Sequence, residues 1–150
     1  MAELILKIKV DDDCNDIELP KRQSSESAGL DIRAAVKEKT ILDVGEIKLI
    51  PTGLKFSFPH GYEIQVRSRS GLALNHGVFV LNSPGTIDSD YRGPIGIALC
   101  NLGNKPFEIN RNDRIAQLVV NKYEKVNIEV VTDLDATERN QNGYGSTGLK

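Results

Sequence analysis

Through most of the chain, apolar residues recur at every second position in short runs that turn residues interrupt. Near the N-terminus Leu4, Leu6, Ile8 and Val10 fall on one side, the spacing of a half-buried strand. Tyr62, Ile64 and Val66 alternate with Glu63, Gln65 and Arg67 in the same way. Breaks at Val44-Gly45, Pro51-Thr52-Gly53 and Pro59-His60-Gly61 cut residues 40–68 into three or four such pieces. Further strands are predicted at 78–81, 95–100, 114–120 and 127–131. Only "SGLALNHG" (70–77) has helical character, with Ser70 as its N-cap and Gly77 as its stop. Many short strands, Gly/Pro turns and one short helix predict an all-β fold, a jelly roll or distorted β-barrel.

A chain of 150 residues is expected to form one domain with its own core. Past Asp133 the composition turns polar and glycine-rich, so the core is assigned to residues 1–132 and a flexible C-terminal arm to 133–150. A formal net charge of −2 argues against a nucleic-acid-coating surface. No apolar run approaches membrane-spanning length, and the N-terminus lacks the cleavage site of a signal peptide. Neither nucleic acid nor membrane is therefore an expected partner. Cys14 and Cys100 stand far apart in no metal or redox spacing, which suits a soluble, reducing, cytoplasmic setting. His60 and His76 have no Cys or carboxylate pattern around them and read as loop or surface residues.

Five stretches could carry chemistry. "SPGTIDSDYRG" (83–93) holds Asp88 and Asp90 and reads as either an ordinary Pro-Gly/Asp turn or a functional carboxylate pair. A calcium loop is excluded, because Arg92 and Leu99 stand where further oxygen ligands are required. "VRSRSGLA" (66–73) reads as a phosphate site built from guanidinium, hydroxyl and backbone N–H groups, or as a solvated arginine pair beside a helix start. "AGLDIRAA" (28–35) sets one carboxylate, Asp31, in an apolar run, where it needs a partner or solvent. In "NRNDRIAQL" (110–118), Gln117 follows Arg114 by three residues and is expected on the opposite strand face. The terminal "NGYGSTGLK" (142–150) has the two-glycine spacing of a P-loop but not its following Lys-Ser/Thr, strand or helix.

In series, "AGLDIRAA", "RSGLA", "GTIDSDYRG", "RNDRIAQL" and "RNQNGYGSTG" resemble the five motifs of the homotrimeric dUTPases, over residues 28–148. The resemblance implies a β jelly roll and a trimer with three active sites at subunit contacts. It also implies hydrolysis of dUTP to dUMP and pyrophosphate with Mg²⁺ carried chiefly by the triphosphate, which keeps uracil out of DNA and supplies dUMP for thymidylate synthesis. Asp88 matches the base that activates water. Tyr91 matches the aromatic residue under the deoxyribose, which excludes a ribose 2′-OH. Asn82, with Gly85, Thr86, Ile87 and the backbone around 79–85, matches a hairpin that reads uracil. Arg69, Ser70, Gly71 and Gln117 match phosphate contacts, and Asp31 matches the aspartate tied to the metal through water. In the fifth motif Tyr144 would cover uracil, while Arg139, Gly145, Ser146 and Thr147 would reach the β- and γ-phosphates. That motif departs from the family pattern R-G-x-G-G-F-G-S-T-G: Asn140 and Asn142 replace glycines, and Tyr144 replaces phenylalanine.

Two rival functions bear on the same residues. The related dCTP deaminases use a glutamate on the strand after the third motif, where this chain has Ala98. Alanine cannot move a proton, which argues against deaminase or bifunctional activity. A non-catalytic nucleotide- or protein-binding module would have no need of Asp88 at the water site.

Overall fold

The computed structural model describes residues 4–138 and 140. Eleven strands and one α-helix are formed among them: β1 (Lys7–Val10), β2 (Leu30–Arg33), β3 (Thr40–Leu42), β4 (Ile47–Pro51), β5 (Leu54–Ser57), β6 (Tyr62–Arg67), α1 (Ser70–His76), β7 (Val78–Val80), β8 (Gly85–Ile87), β9 (Gly96–Asn101), β10 (Phe107–Ile109) and β11 (Arg114–Lys122). All strand pairs are antiparallel. They form a four-stranded sheet β2-β11-β6-β8, a three-stranded sheet β4-β9-β7 and the pairs β1-β5 and β10-β3. This is the expected all-β jelly roll.

Alternation decides which side each strand buries. In β6, Ile64 and Val66 enter the core while Glu63, Gln65 and Arg67 form a chain of side-chain hydrogen bonds on the other face. Ile32, Leu118, Ile97, Leu99 and Phe56 fill the space between the sheets. Leu6, just ahead of β1, and Ile8 and Val10 within it pack against the core, but the strand begins at Lys7 rather than at Leu4.

The helix is one residue out of register with expectation. Arg69, not Ser70, is the N-cap, in extended conformation and without a side-chain cap bond. Gly77 ends the helix at φ 68°, and its N–H returns to Ala73 and Leu72. A Cβ there would lie 2.4 Å from the Gly103 nitrogen, so both conformation and space select glycine.

The last strand ends at Lys122, and the strand expected at 127–131 is not formed. Val126, Ile128 and Val130 are 79%, 91% and 94% exposed. An alternating apolar run makes a strand only where another strand supplies the hydrogen-bond ladder, and the described chain offers none to it. The packed core therefore stops about ten residues before the boundary expected at 132. The fifth-motif residues Arg139, Tyr144, Gly145, Ser146 and Thr147 lie outside the described residues.

Candidate active site

The four-stranded sheet brings the first, second and fourth motifs together. Asp31 on β2 pairs directly with Gln117 on β11, which pairs in turn with Arg67 on β6. Paired residues share a sheet face. The Asp31 carboxylate is 12% exposed and takes a bond from Arg69 Nε to Oδ1 and from Arg114 Nη1 to Oδ2, each 3.2 Å. Arg69 Nη1 also donates to the Arg114 carbonyl at 3.0 Å. The partner that Asp31 required is thus a pair of guanidiniums.

The expectation that Arg114 and Gln117 point to opposite faces is overturned. β11 carries a bulge between Arg114 and Ala116, so that Arg114 pairs with Arg33 while Gln117 pairs with Asp31. Arg33 and Asp31 are two apart and share a face, and the extra residue brings Arg114 onto it as well. Arg114 is the site residue that a strict period-two reading of the fourth motif misses. With Arg69 it lines a cavity of about 260 Å³ beside Leu72 and Phe107.

Ser68 ties this group to the next. Its carbonyl accepts from Gln117 Nε2 at 2.9 Å, and its hydroxyl accepts from the Val80 N–H at 2.9 Å. Val80 leads into Asn82 and Gly85, across a cis Ser83–Pro84 bond. The hairpin expected here is not a laddered one: β7 belongs to the β9 sheet and β8 pairs with β6. Residues 81–84 cross from one sheet to the other, and a Cβ on Gly85 would come within 3.1 Å of the Asn82 amide nitrogen. Ser70, Gly71, Asn82 and Thr86 are exposed, whereas Ile87 belongs to the core.

Asp88 follows β8 at the rim of a second cavity of about 310 Å³, lined by Leu49, Thr86, Ile87, Tyr91, Pro94 and Gly96 among others. Its turn is braced at several points. The Tyr91 N–H donates to the Asp88 carbonyl at 3.1 Å. Arg92 Nη1 donates to the Ser89 and Tyr91 carbonyls at 2.7 and 2.9 Å. The Tyr91 hydroxyl donates to the Pro94 carbonyl at 3.2 Å, its ring lying where a Cβ on Gly93 would sit 2.2 Å from the hydroxyl oxygen. Ser89 is buried and meets His60 Nδ1 at 3.2 Å.

Asp88 and the Asp31 group are not adjacent. Ile87 pairs with Ile64, which sets Asp88 level with Glu63, four residues along β6 from Arg67. At about 3.3 Å per residue that is roughly 13 Å along the sheet, and none of the cavities described holds both groups. A larger cavity, about 460 Å³, shares Leu49, Pro94 and Gly96 with the Asp88 cavity and extends to Cys14 and Ala35, but holds no candidate residue.

A family model, dUTPase, matches residues 15–148. The chain belongs to the dUTPase family. Among its relatives in the family, the deoxyuridine 5'-triphosphate nucleotidohydrolase of Thermoanaerobacter sp. (strain X514) is 50% identical over 146 residues, covering 97% of this chain and 99% of that one. The same enzyme from Orientia tsutsugamushi (strain Boryong) is 54% identical over 132 residues, covering 88% and 89%. Among solved structures, the dUTPase of Staphylococcus bacteriophage 80alpha bound to dUpNHpp superimposes with a TM-score of 0.86 at 25% identity, over 97% of this chain and 99% of that one. A dUTPase from phage phi11 of S. aureus shares the fold at TM-score 0.77 and is described as coordinating a structural Mg(II) ion. In this dUTPase-family chain, no group of three His, Cys, Asp or Glu among the described residues is arranged to hold a metal, and no described helix is long and apolar enough to cross a membrane.

Proposed function

We propose that the protein hydrolyses dUTP, delivered as its Mg²⁺ complex, to dUMP and pyrophosphate, in a homotrimer whose subunits share each active site. The observation that carries this reading is the braced turn presenting Asp88 beside Tyr91 at a cavity rim, in a chain of the dUTPase family. Water attacks the α-phosphorus in line: the new P–O bond forms as the bond to the α,β-bridging oxygen breaks, and the proton passes to Asp88. Asp88 is exposed and takes no part in the ion pairs among the described residues, so its carboxylate is available as the base. Tyr91 carries the deoxyribose, and Asn82 with the backbone of 79–85 pairs with uracil.

Arg69, Ser70, Gly71 and Gln117 neutralise and orient the phosphates, with Arg139, Gly145, Ser146 and Thr147 closing over them and Tyr144 over the base. Asp31 holds Arg69 and Arg114 in place. An ionised carboxylate has about four acceptor positions, so two remain for a water of the metal's shell. Bound Mg²⁺ would offset the triphosphate charge, and a metal brought by substrate needs few protein ligands.

Subunit sharing is supported by what one chain leaves incomplete. Asp88 and the Arg69 group stand apart within it, as described above. The outward side of β4-β9-β7 is apolar throughout: Leu49 pairs with Ala98, and Ile47 pairs with Cys100, which pairs with Phe79. Leu49 is 71% exposed and also lines the Asp88 cavity, so a subunit covering this face would complete the site. A face of this kind is a partner surface rather than a solvent one.

The test is incubation of the protein and Mg²⁺ with dUTP, dCTP, dTTP and UTP separately. The reading expects dUMP and pyrophosphate from dUTP alone. Formation of dUTP from dCTP would make it a deaminase, and no turnover at all would make it a binding module.

A further inference from the structure

We propose that His60 is a positioning residue for Asp88, acting through Ser89; the inference rests on the catalytic reading of Asp88 above. The turn 59–61 joins β5 to β6 and has no residue in the five motifs. Its imidazole nevertheless reaches across to the turn that carries the base, with Nδ1 3.2 Å from the Ser89 hydroxyl. Ser89 is 6% exposed, and among the described residues that hydroxyl has no other partner. A buried hydroxyl that loses its partner either stays unpaired or moves to find another. Here it is covalently next to Asp88, so any such movement is transmitted to the carboxylate.

The mount of the imidazole is itself fixed. Gly61 turns at φ 85°, and its carbonyl accepts from the Tyr123 N–H at 3.1 Å. The turn is thereby pinned to the end of β11 on one side and to the Asp88 turn on the other. Arg92 holds the Ser89 and Tyr91 carbonyls. Ile87, on the other side of the base, is fixed by core packing, and among the described residues the His60 contact is the only hydrogen bond to a side chain next to Asp88. The arrangement is a supporting contact that keeps a catalytic group in its attacking geometry, where small misplacements are costly.

Four variants test this against dUTP with Mg²⁺: His60→Ala, His60→Asn, Ser89→Ala and the double alanine variant. Asparagine keeps a hydrogen-bonding atom near the place of Nδ1. The expected result is a fall in kcat of about 2- to 10-fold for each single alanine variant, the size of one lost hydrogen bond, with KM within about twofold. His60→Asn restores most of kcat, and the double variant is no slower than the singles, because both remove one contact. Wild-type kcat in both alanine variants overturns the proposal. So do losses that multiply in the double variant, or a loss in KM alone. Should the unaltered protein make no dUMP, the proposed function fails and this inference with it; an active parent with indifferent His60 variants sinks the inference alone.

Discussion

Replacing Asp31 by Asn isolates what its carboxylate does. The native group accepts from Arg69 and Arg114 at 3.2 Å each while 12% exposed. Asparagine keeps one acceptor, turns a donor toward a guanidinium, and leaves two neighbouring cations without a counter-charge. A hydrogen bond to a charged group contributes about 1.5–3 kcal/mol when buried, and an exposed ion pair about 0–1 kcal/mol. Arg69 is 24% exposed and Arg114 39%, so the network lies between these limits, and a loss of about 2 kcal/mol follows. At roughly 2–4 °C per kcal/mol for a domain of this size, Tm should fall about 4–8 °C. Among the described residues Arg69 would keep only the Arg114 carbonyl, and its guanidinium would no longer be aimed. A displacement of about 1 Å can cost up to 100-fold in rate, so kcat/KM for dUTP should drop about tenfold or more. Differential scanning fluorimetry and steady-state hydrolysis at saturating Mg²⁺ measure both. An unchanged Tm together with an unchanged kcat/KM would refute the arginine anchor.

Four further outcomes follow from the same structure. Asp88→Asn should abolish turnover, by at least about 100-fold, while calorimetry still detects dUTP binding; normal turnover would show that the base is elsewhere. Deleting residues 139–150 should leave the β-sheet circular dichroism unchanged and cripple hydrolysis, since the packed core ends at Lys122; an unfolded product would make the segment structural. Leu49→Lys should lower the mass found by light scattering and remove hydrolysis together, because Leu49 is 71% exposed in one chain and its substitution strains nothing within it; a trimer of unchanged mass would discount the apolar face. The hydrogen bond from Arg111 holds the Asp16 carboxyl below its ordinary value of 3.8. A depressed folded pKa contributes stability that is complete above the ordinary value and lost as pH falls through the folded one. Asp16→Asn should therefore flatten the Tm profile below about pH 4 and leave its slope near neutrality alone; an unchanged acid limb would show that the pair contributes nothing.

Much of this protein was legible as a string. Period two in segments such as Tyr62–Arg67 identifies strands because a pleated backbone sends successive side chains to opposite faces, a local rule needing no knowledge of the fold. Gly77 and the turn glycines announce element ends for equally local reasons, and the serial motifs identify the family before any contact is known. Local rules failed where a second element decides the outcome. The 127–131 run has strand character, yet a strand needs a ladder partner, and the described chain holds none for it. Arg114 was misdirected by counting, because a bulge reverses the parity of everything before it and exists only where β11 meets β2. His60 carries no motif, and its contact with Ser89 spans 29 positions, which nothing in either neighbourhood encodes. The kind of chemistry proposed, a carboxylate base and a cationic phosphate cradle, thus rests on residue identity along the chain. Which guanidiniums share Asp31, what braces Asp88, and that one chain keeps these two groups apart were decided by the packing of sheets, because those are relations between distant segments.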